Sequence, residues 1–151
     1  MKLNRSLLAL MLAAVLPLAA HADLPGRHPA YLHALSDLRD ARWNLEHRPG
    51  DAAVSSQEDV AIIEIDKAIG EVKRAAIDDG KDIRDHMPED ARLDHPGRLH
   101  HAIELLKRAE GDVSHEEDNP ETQGLQERVR RHIYEAIHAA EHALHDAEAN
   151  R

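Results

Sequence analysis

The sequence predicts an all-α protein, a four-helix bundle with its helices in up-down-up-down order. Three observations predict this fold. Four segments place apolar residues three and four positions apart, the apolar–polar alternation of strands is absent, and two of the three connections are short. Four helices that each bury one apolar stripe most simply form a bundle, and short connections favour antiparallel neighbours.

The first two helices are predicted on either side of a short connection. The first runs through "HPAYLHALSDLRDARWNLEH", with Pro29 at its start, and "RPGD" stops it. The second is "EDVAIIEIDKAIGEVKRAAIDDG", and Gly80 is predicted to cap its C-terminus. Five apolar residues of the second helix fall on one face: Ile62, Ile65, Ile69, Val72 and Ala76.

The last two helices follow the longest connection, "GKDIRDHMPEDARLDHPG", which contains two prolines. The third helix is predicted over "RLHHAIELLKRAEGDV", after "LDHPG". The fourth opens at "DNPETQGLQERV", with Asn119 as its N-cap and Pro120 in its first turn. Its apolar stripe consists of Leu125, Val129, Ile133, Ala136, Ile137, Ala140, Leu144 and Ala147.

The N-terminus has the pattern of a secretory signal peptide over 1–22. Lys2 and Arg5 form a short basic start, "SLLALMLAAVLPLAA" is apolar, and "AHA" supplies the small residues that precede cleavage after Ala22. The apolar run is too short for a convincing membrane span. We therefore expect an exported, periplasmic protein without membrane insertion after cleavage, folded as one helical-bundle domain over 23–151.

Composition limits the partners of the protein. The chain has 19 basic and 29 acidic residues, and loss of Lys2 and Arg5 with the signal would change the net charge from −10 to −12. This acidity argues against nucleic acid and anionic membranes, and it is compatible with cations or a protein partner. The chain has no cysteine, which excludes disulfides, thiolate metal sites and iron–sulfur clusters. A transition-metal site must use imidazole and carboxylate ligands, which suit Cu²⁺, Ni²⁺ or Zn²⁺.

Histidines concentrate in the C-terminal stretch "HIYEAIHAAEHALHDAE". At about 100° per residue, His138, His142 and His145 align along one side of the fourth helix, opposite its apolar stripe. Glu135 and Glu141 flank this line and add carboxylates. Two imidazoles one turn apart can bind the same divalent ion. The same pattern also describes a solvated helix face without a specific ligand, and the sequence leaves both interpretations open.

A smaller group of candidate ligands lies in "DHPGRLHHAIE". It contains His100 and His101, with Glu104 one turn from His100. A polar helix start with exposed rings explains this group as well. His115 and the "EED" after it form an acidic loop that lacks the spacing of an EF-hand. His28 projects near the first apolar stripe and is interpreted as a boundary histidine.

Motifs of the common enzyme classes are absent. The chain has no H-E-x-x-H, no G-x-S-x-G and no glycine-rich phosphate loop. "EAIH" has the Glu-x-x-His spacing of di-iron bundles, but its residues point outward, and such a centre needs inward ligands. A haem would need an inward axial ligand, for which only His28, His132 and Met87 are candidates. We therefore expect neither an enzyme nor a haem protein.

The alternation of His, Glu and Ala in "HIYEAIHAAEHALHDAE", together with "RLHHAIELLKRAE", resembles the helices of the periplasmic small metal-binding protein family. Its members are short, histidine-rich, cysteine-free helical bundles associated with divalent metals, copper in particular. The second helix here, "VAIIEIDKAIGEVKRAAI", departs from the family because it has no histidine. The resemblance implies metal ligands at His138, His142 and His145, and after these at His100 and His101.

Two functions are consistent with the sequence. The first is a periplasmic protein that binds or buffers Cu²⁺, Ni²⁺ or Zn²⁺ through surface imidazoles and releases protons as it does so. The alternative is a non-enzymatic interaction or stress protein, similar to a chaperone, with no specific metal. Extensive exposed apolar surface on the folded bundle would favour the alternative.

Overall fold

The computed structural model describes residues 27–47, 55–80, 83 and 95–150. Within them the chain forms four α-helices: α1 (Tyr31–Glu46), α2 (Ser56–Asp78), α3 (His95–Val113) and α4 (Pro120–Ala149). The predicted all-α four-helix bundle is confirmed. The predicted signal peptide (1–22), the "RPGD" stop and Met87 lie outside the described residues.

Local sequence signals set the helix ends. Ser55 caps α2 in a capping box with Glu58, whose carboxylate accepts hydrogen bonds from the backbone N–H and the hydroxyl of Ser55. Asn119 caps α4, as predicted. Gly80 follows the end of α2 with a φ of 75°, and its N–H donates to the oxygen of Ile77. A residue with a Cβ would be strained in this conformation, so the predicted glycine cap is confirmed.

One hydrophobic core runs through the bundle and is built from the apolar stripes of all four helices. Its side chains are aliphatic apart from Tyr31, and many are alanines, which allow close packing of the helices. The predicted stripes of α2 and α4 face this core. No helix in the described part of the chain is apolar enough over a sufficient length to cross a membrane.

The helix directions differ from those predicted. α1 and α4 each pack against α2 and α3, so α1 lies diagonally across the bundle from α4, and α2 from α3. The start of α3 meets the start of α2, because His95 Nε2 lies 3.0 Å from Glu58 Oε1. At the same end, Arg98 donates to the backbone oxygen of His47, just after α1, at 2.6 Å. The order is therefore up-down-down-up, with α2 and α3 parallel, and the predicted up-down-up-down order is wrong.

The length of the connection between α2 and α3 explains this difference. Gly80 and His95 lie at opposite ends of the bundle, roughly 35 Å apart for a helix as long as the 23-residue α2. Residues 81–94 can span about 46 Å when extended, which is enough to return along the bundle. The two short connections alone favour up-down-up-down order, because short connections join antiparallel neighbours. α3 also begins earlier than predicted, at His95, with Pro96 in its first turn.

Spin-label distances test the helix order. Labels at Asp59→Cys and His100→Cys, exposed near the starts of α2 and α3, should lie closer together than labels at Asp78→Cys and His100→Cys. Antiparallel α2 and α3 would require the reverse ranking. Double electron–electron resonance measures both distances, and the lack of native cysteine makes the labelling specific.

Candidate metal centre

The α4 histidine face, formed by His138, His142 and His145, points into solvent as predicted. These three rings and Glu141 line one shallow depression on the outer surface of α4. Glu135 is exposed on the same helix. All five predicted ligands on α4 are therefore accessible to an ion from solution.

Neighbouring side chains already contact parts of this face. Glu141 Oε1 accepts a hydrogen bond from Lys107 Nζ on α3 at 3.1 Å. The ring of Tyr134 packs edge-on against His138, with centroids 4.4 Å apart. Among these described residues, no three ligand atoms of the face lie within 4.8 Å of one another. The structure thus places the predicted ligands on one surface without assembling a three-ligand site there.

The second predicted group lies on α3, near the end of α4. His100 Nε2 is 3.4 Å from Glu148 Oε1, and His101 Nδ1 is 4.0 Å from Glu104 Oε2. His100 is exposed and His101 is half-buried. Each imidazole has a carboxylate beside it, but neither belongs to a larger ligand group within the described residues.

A buried group that the sequence did not reveal lies at one end of the bundle. His28 Nδ1 is 3.3 Å from Asp79 Oδ1 and 3.2 Å from Glu117 Oε1. One ligand atom from each of the three residues lies within 4.8 Å of the other two. Both carboxylate side chains are 0% exposed, and the imidazole is 9% exposed. We call these three residues the His28 cluster.

Three separate segments supply the His28 cluster. His28 precedes α1, Asp79 is the C-cap of α2, and Glu117 lies in the loop between α3 and α4. The first and third segments are tied together by the backbone, because the Asp118 N–H donates to the oxygen of Arg27 at 3.1 Å. The cluster is therefore a product of tertiary structure, and its ligands are held by the ends of the helices.

Tyr31 and the backbone of Asn119 orient Glu117. The Tyr31 hydroxyl donates to Glu117 Oε2 at 2.8 Å, and the Asn119 N–H donates to Oε1 at 2.8 Å. Burial raises the pKa of Tyr31 far above its ordinary value, and the hydrogen bond to Glu117 raises it further. The hydroxyl therefore remains a hydrogen-bond donor at neutral pH, and both oxygens of Glu117 are fixed.

His28 Nδ1 is within hydrogen-bond distance of Glu117 Oε1, and the spacing of the His28 cluster is also compatible with a metal ion. A single Nδ1–H can point well at only one of two carboxylate oxygens that lie at nearly equal distances. An ion bound tetrahedrally at about 2.0–2.1 Å has ligand atoms roughly 3.3 Å apart. The distances from His28 to Asp79 and Glu117 match this separation. The cluster is thus a group that could hold a metal ion.

Sequence reasoning missed the His28 cluster because its members have ordinary local contexts. The sequence predicts a boundary histidine at His28, and its low exposure agrees, but the sequence pattern gives no partner for it. Glu117 belongs to the acidic loop beside His115, where composition does not reveal burial. Asp79 precedes Gly80, a position at which an acidic residue is ordinarily exposed. The one available signal was the place of His28 and Asp79 next to predicted helix ends.

His132, another inward candidate, pairs with α2. Its Nδ1 lies 2.6 Å from Glu64 Oε2, and Lys67 Nζ lies 2.6 Å from Oε1 of the same carboxylate. Burial alone would raise the pKa of Glu64, but the hydrogen bonds with Lys67 and His132 outweigh it and lower the pKa. His132 is therefore a link between α2 and α4, and it joins no three-residue ligand group in the part of the chain described.

Comparison of the chain with protein-family models, with curated proteins and with solved structures finds no match. Function therefore has to be inferred from the residues and the geometry of this chain.

Tyr31 should ionise only when the protein unfolds. In Tyr134→Phe the remaining tyrosine is Tyr31. Its phenolate absorbance should therefore appear only together with the loss of helical circular dichroism, at a pH well above the ordinary tyrosine pKa of about 10. A raised folded-state pKa stabilises the protein below the unfolded-state pKa, and this stability is lost as the pH rises beyond it. Spectrophotometric titration measures the effect, with Tyr31→Phe as the control that retains exposed Tyr134. Phenolate formation at an ordinary pH with intact helices would contradict the burial of Tyr31.

Proposed function

We propose that the protein binds a divalent transition-metal ion and serves as an exported metal-binding or metal-buffering protein. The observation that carries this proposal is the His28 cluster, in which one imidazole and two buried carboxylates lie within 4.8 Å of one another. Zn²⁺, Ni²⁺ and Cu²⁺ are the proposed ions. The periplasm is the proposed compartment, in keeping with the N-terminal signal pattern.

Electrostatics favours a cation in the His28 cluster. Ionised carboxylates without solvent exposure have a large desolvation cost. The carboxylates of Asp79 and Glu117 bring two negative charges close to one nitrogen of His28. A divalent ion neutralises both and replaces the lost hydration with ligand bonds. Because its ligands come from three segments, the bound ion should also stabilise the fold.

The ligand types discriminate between classes of ion. Imidazole nitrogen is a good ligand for Zn²⁺, Ni²⁺ and Cu²⁺, whereas Ca²⁺ and Mg²⁺ prefer oxygen ligands. The one imidazole of the His28 cluster therefore favours a transition metal over Ca²⁺ or Mg²⁺. Three protein ligands also leave one position of a tetrahedral ion for water.

The α4 histidine face is proposed as a second and weaker site. Its rings are spaced four and then three residues apart, so pairs of them can meet one ion. Their exposure means that binding must order mobile side chains in competition with water. Glu141 would first have to leave Lys107. We propose that the other predicted ligands, Glu135, His100 and His101, bind further ions only at high metal concentration.

The alternative, a chaperone-like interaction protein, has less support. In the described part of the chain the large exposed apolar residues are Val60, Ile63, Ile77 and Tyr134. Val60 and Ile63 are neighbours on α2, whereas Ile77 lies about 21 Å further along the same helix. Apolar residues dispersed in this way are ordinary on a protein surface and provide little area for a client protein.

Calorimetric titration with Zn²⁺ tests the proposed function. We expect one tight equivalent, with proton release and a higher melting temperature. The stabilisation should be about 2.7 kcal/mol when free Zn²⁺ is 100 times Kd. His28→Ala should abolish the tight equivalent. The triple variant His138→Ala/His142→Ala/His145→Ala removes more imidazoles and should lose only the weaker binding that follows.

The two variants also define the results that would contradict the proposal. Tight binding that survives in His28→Ala would exclude the His28 cluster as the site. Its loss in the triple variant would move the site to the α4 histidine face. If the unmodified protein bound no Zn²⁺ tightly, metal binding would be excluded, and His28 would serve only as a structural link between two carboxylates.

A further inference from the structure

We propose that the ion reaches the His28 cluster through a groove between α1 and α3, with His33 and His115 as transient ligands. This inference rests on the proposed function, because it concerns how that same site is loaded. Its starting point is burial. Asp79 and Glu117 have no exposed side-chain surface, so an ion cannot bind them directly from water.

Two depressions that share two lining residues, His33 and His115, lie near His28. The inner depression is lined by His28, His33 and His115, together with residues 29–32. The outer one, called the α1–α3 groove here, has a volume of about 690 Å³ and is also lined by His33 and His115. These two exposed histidines therefore lie where the groove meets the inner depression. On the proposed route, an ion enters through the groove and meets both of them before it reaches His28.

The α1–α3 groove has an excess of acidic groups. Asp37 and Asp112 line it, against one guanidinium, that of Arg108, and Asp40 also lines it but already has an interaction of its own. Arg108 Nη2 lies 3.0 Å from Asp37 Oδ1 and compensates this carboxylate. A concave surface with an excess of negative charge concentrates cations and speeds their association. The groove therefore has the electrostatic character that a cation entrance requires.

Histidine side chains at the junction are suited to transfer an ion inward. Exposed imidazoles hold an ion weakly, because water competes for it and the side chains must be ordered. His28 Nε2 is buried and has no hydrogen-bond partner among the described residues. No hydrogen bond of this nitrogen therefore opposes rotation of the ring. His33 and His115 are not members of the His28 cluster. Their removal should therefore change the rate of loading and leave the final affinity unchanged.

Kinetics distinguish an entry route from a set of equilibrium ligands. Stopped-flow mixing with Zn²⁺, in competition with a zinc-indicator dye, gives the association and dissociation rate constants. In His33→Ala/His115→Ala we expect both constants to fall roughly tenfold, because transient binding to these two imidazoles lowers the barrier in both directions. Kd should stay within about twofold of its original value, since the ligands of the bound state are intact. The control His47→Ala removes an exposed imidazole at the other end of the bundle and should leave both constants unchanged.

The outcomes that overturn the entry route are separate from those that overturn metal binding. Unchanged rate constants in His33→Ala/His115→Ala would exclude the route. A large rise in Kd would make these histidines part of the bound state and would also exclude a purely transient role. Failure of the proposed function has a different signature, because the unmodified protein would then show no tight Zn²⁺ binding.

Discussion

Burial of two carboxylates beside one imidazole is the constraint on which the rest of the structure depends. Asp79 and Glu117 belong to different helix ends, and both approach the same nitrogen of His28. Burial of ionised carboxylates has a large desolvation cost unless neighbouring groups compensate their charge. The contacts of the cluster join three segments of the chain. If the proposed ion binds there, ligand binding and folding involve the same contacts, and we expect the bound ion to raise the stability of the whole fold.

Helix order makes this meeting of residues possible. In an up-down-up-down bundle α2 and α3 run in opposite directions, so the end of α2 and the loop after α3 lie at opposite ends. Asp79 and Glu117 would then be roughly 30 Å apart. In the observed up-down-down-up order, the start of α1, the end of α2 and the end of α3 share one end of the bundle. The long connection between α2 and α3 is thus a precondition of the site.

Local features were predictable from the sequence, and those that depend on distant segments were not. The apolar stripes, the Asn119 cap, the Gly80 cap and the outward α4 histidine face follow from side-chain spacing and backbone preference. Helix order depends on the reach of one connection, which spacing within helices does not report. The His28 cluster depends on that order. Composition identifies the segment that is richest in histidine. The buried His28 cluster contains only one histidine, so it produces no pattern in the local sequence.

X-ray absorption spectroscopy of the protein loaded with one equivalent of Zn²⁺ tests the central claim directly, because it counts the imidazoles bound to the ion. We predict one imidazole per ion, with oxygen atoms as the remaining ligands at about 2.0 Å, as the His28 cluster would provide. Two or more imidazoles per ion would contradict this assignment and would place the ion on the α4 histidine face.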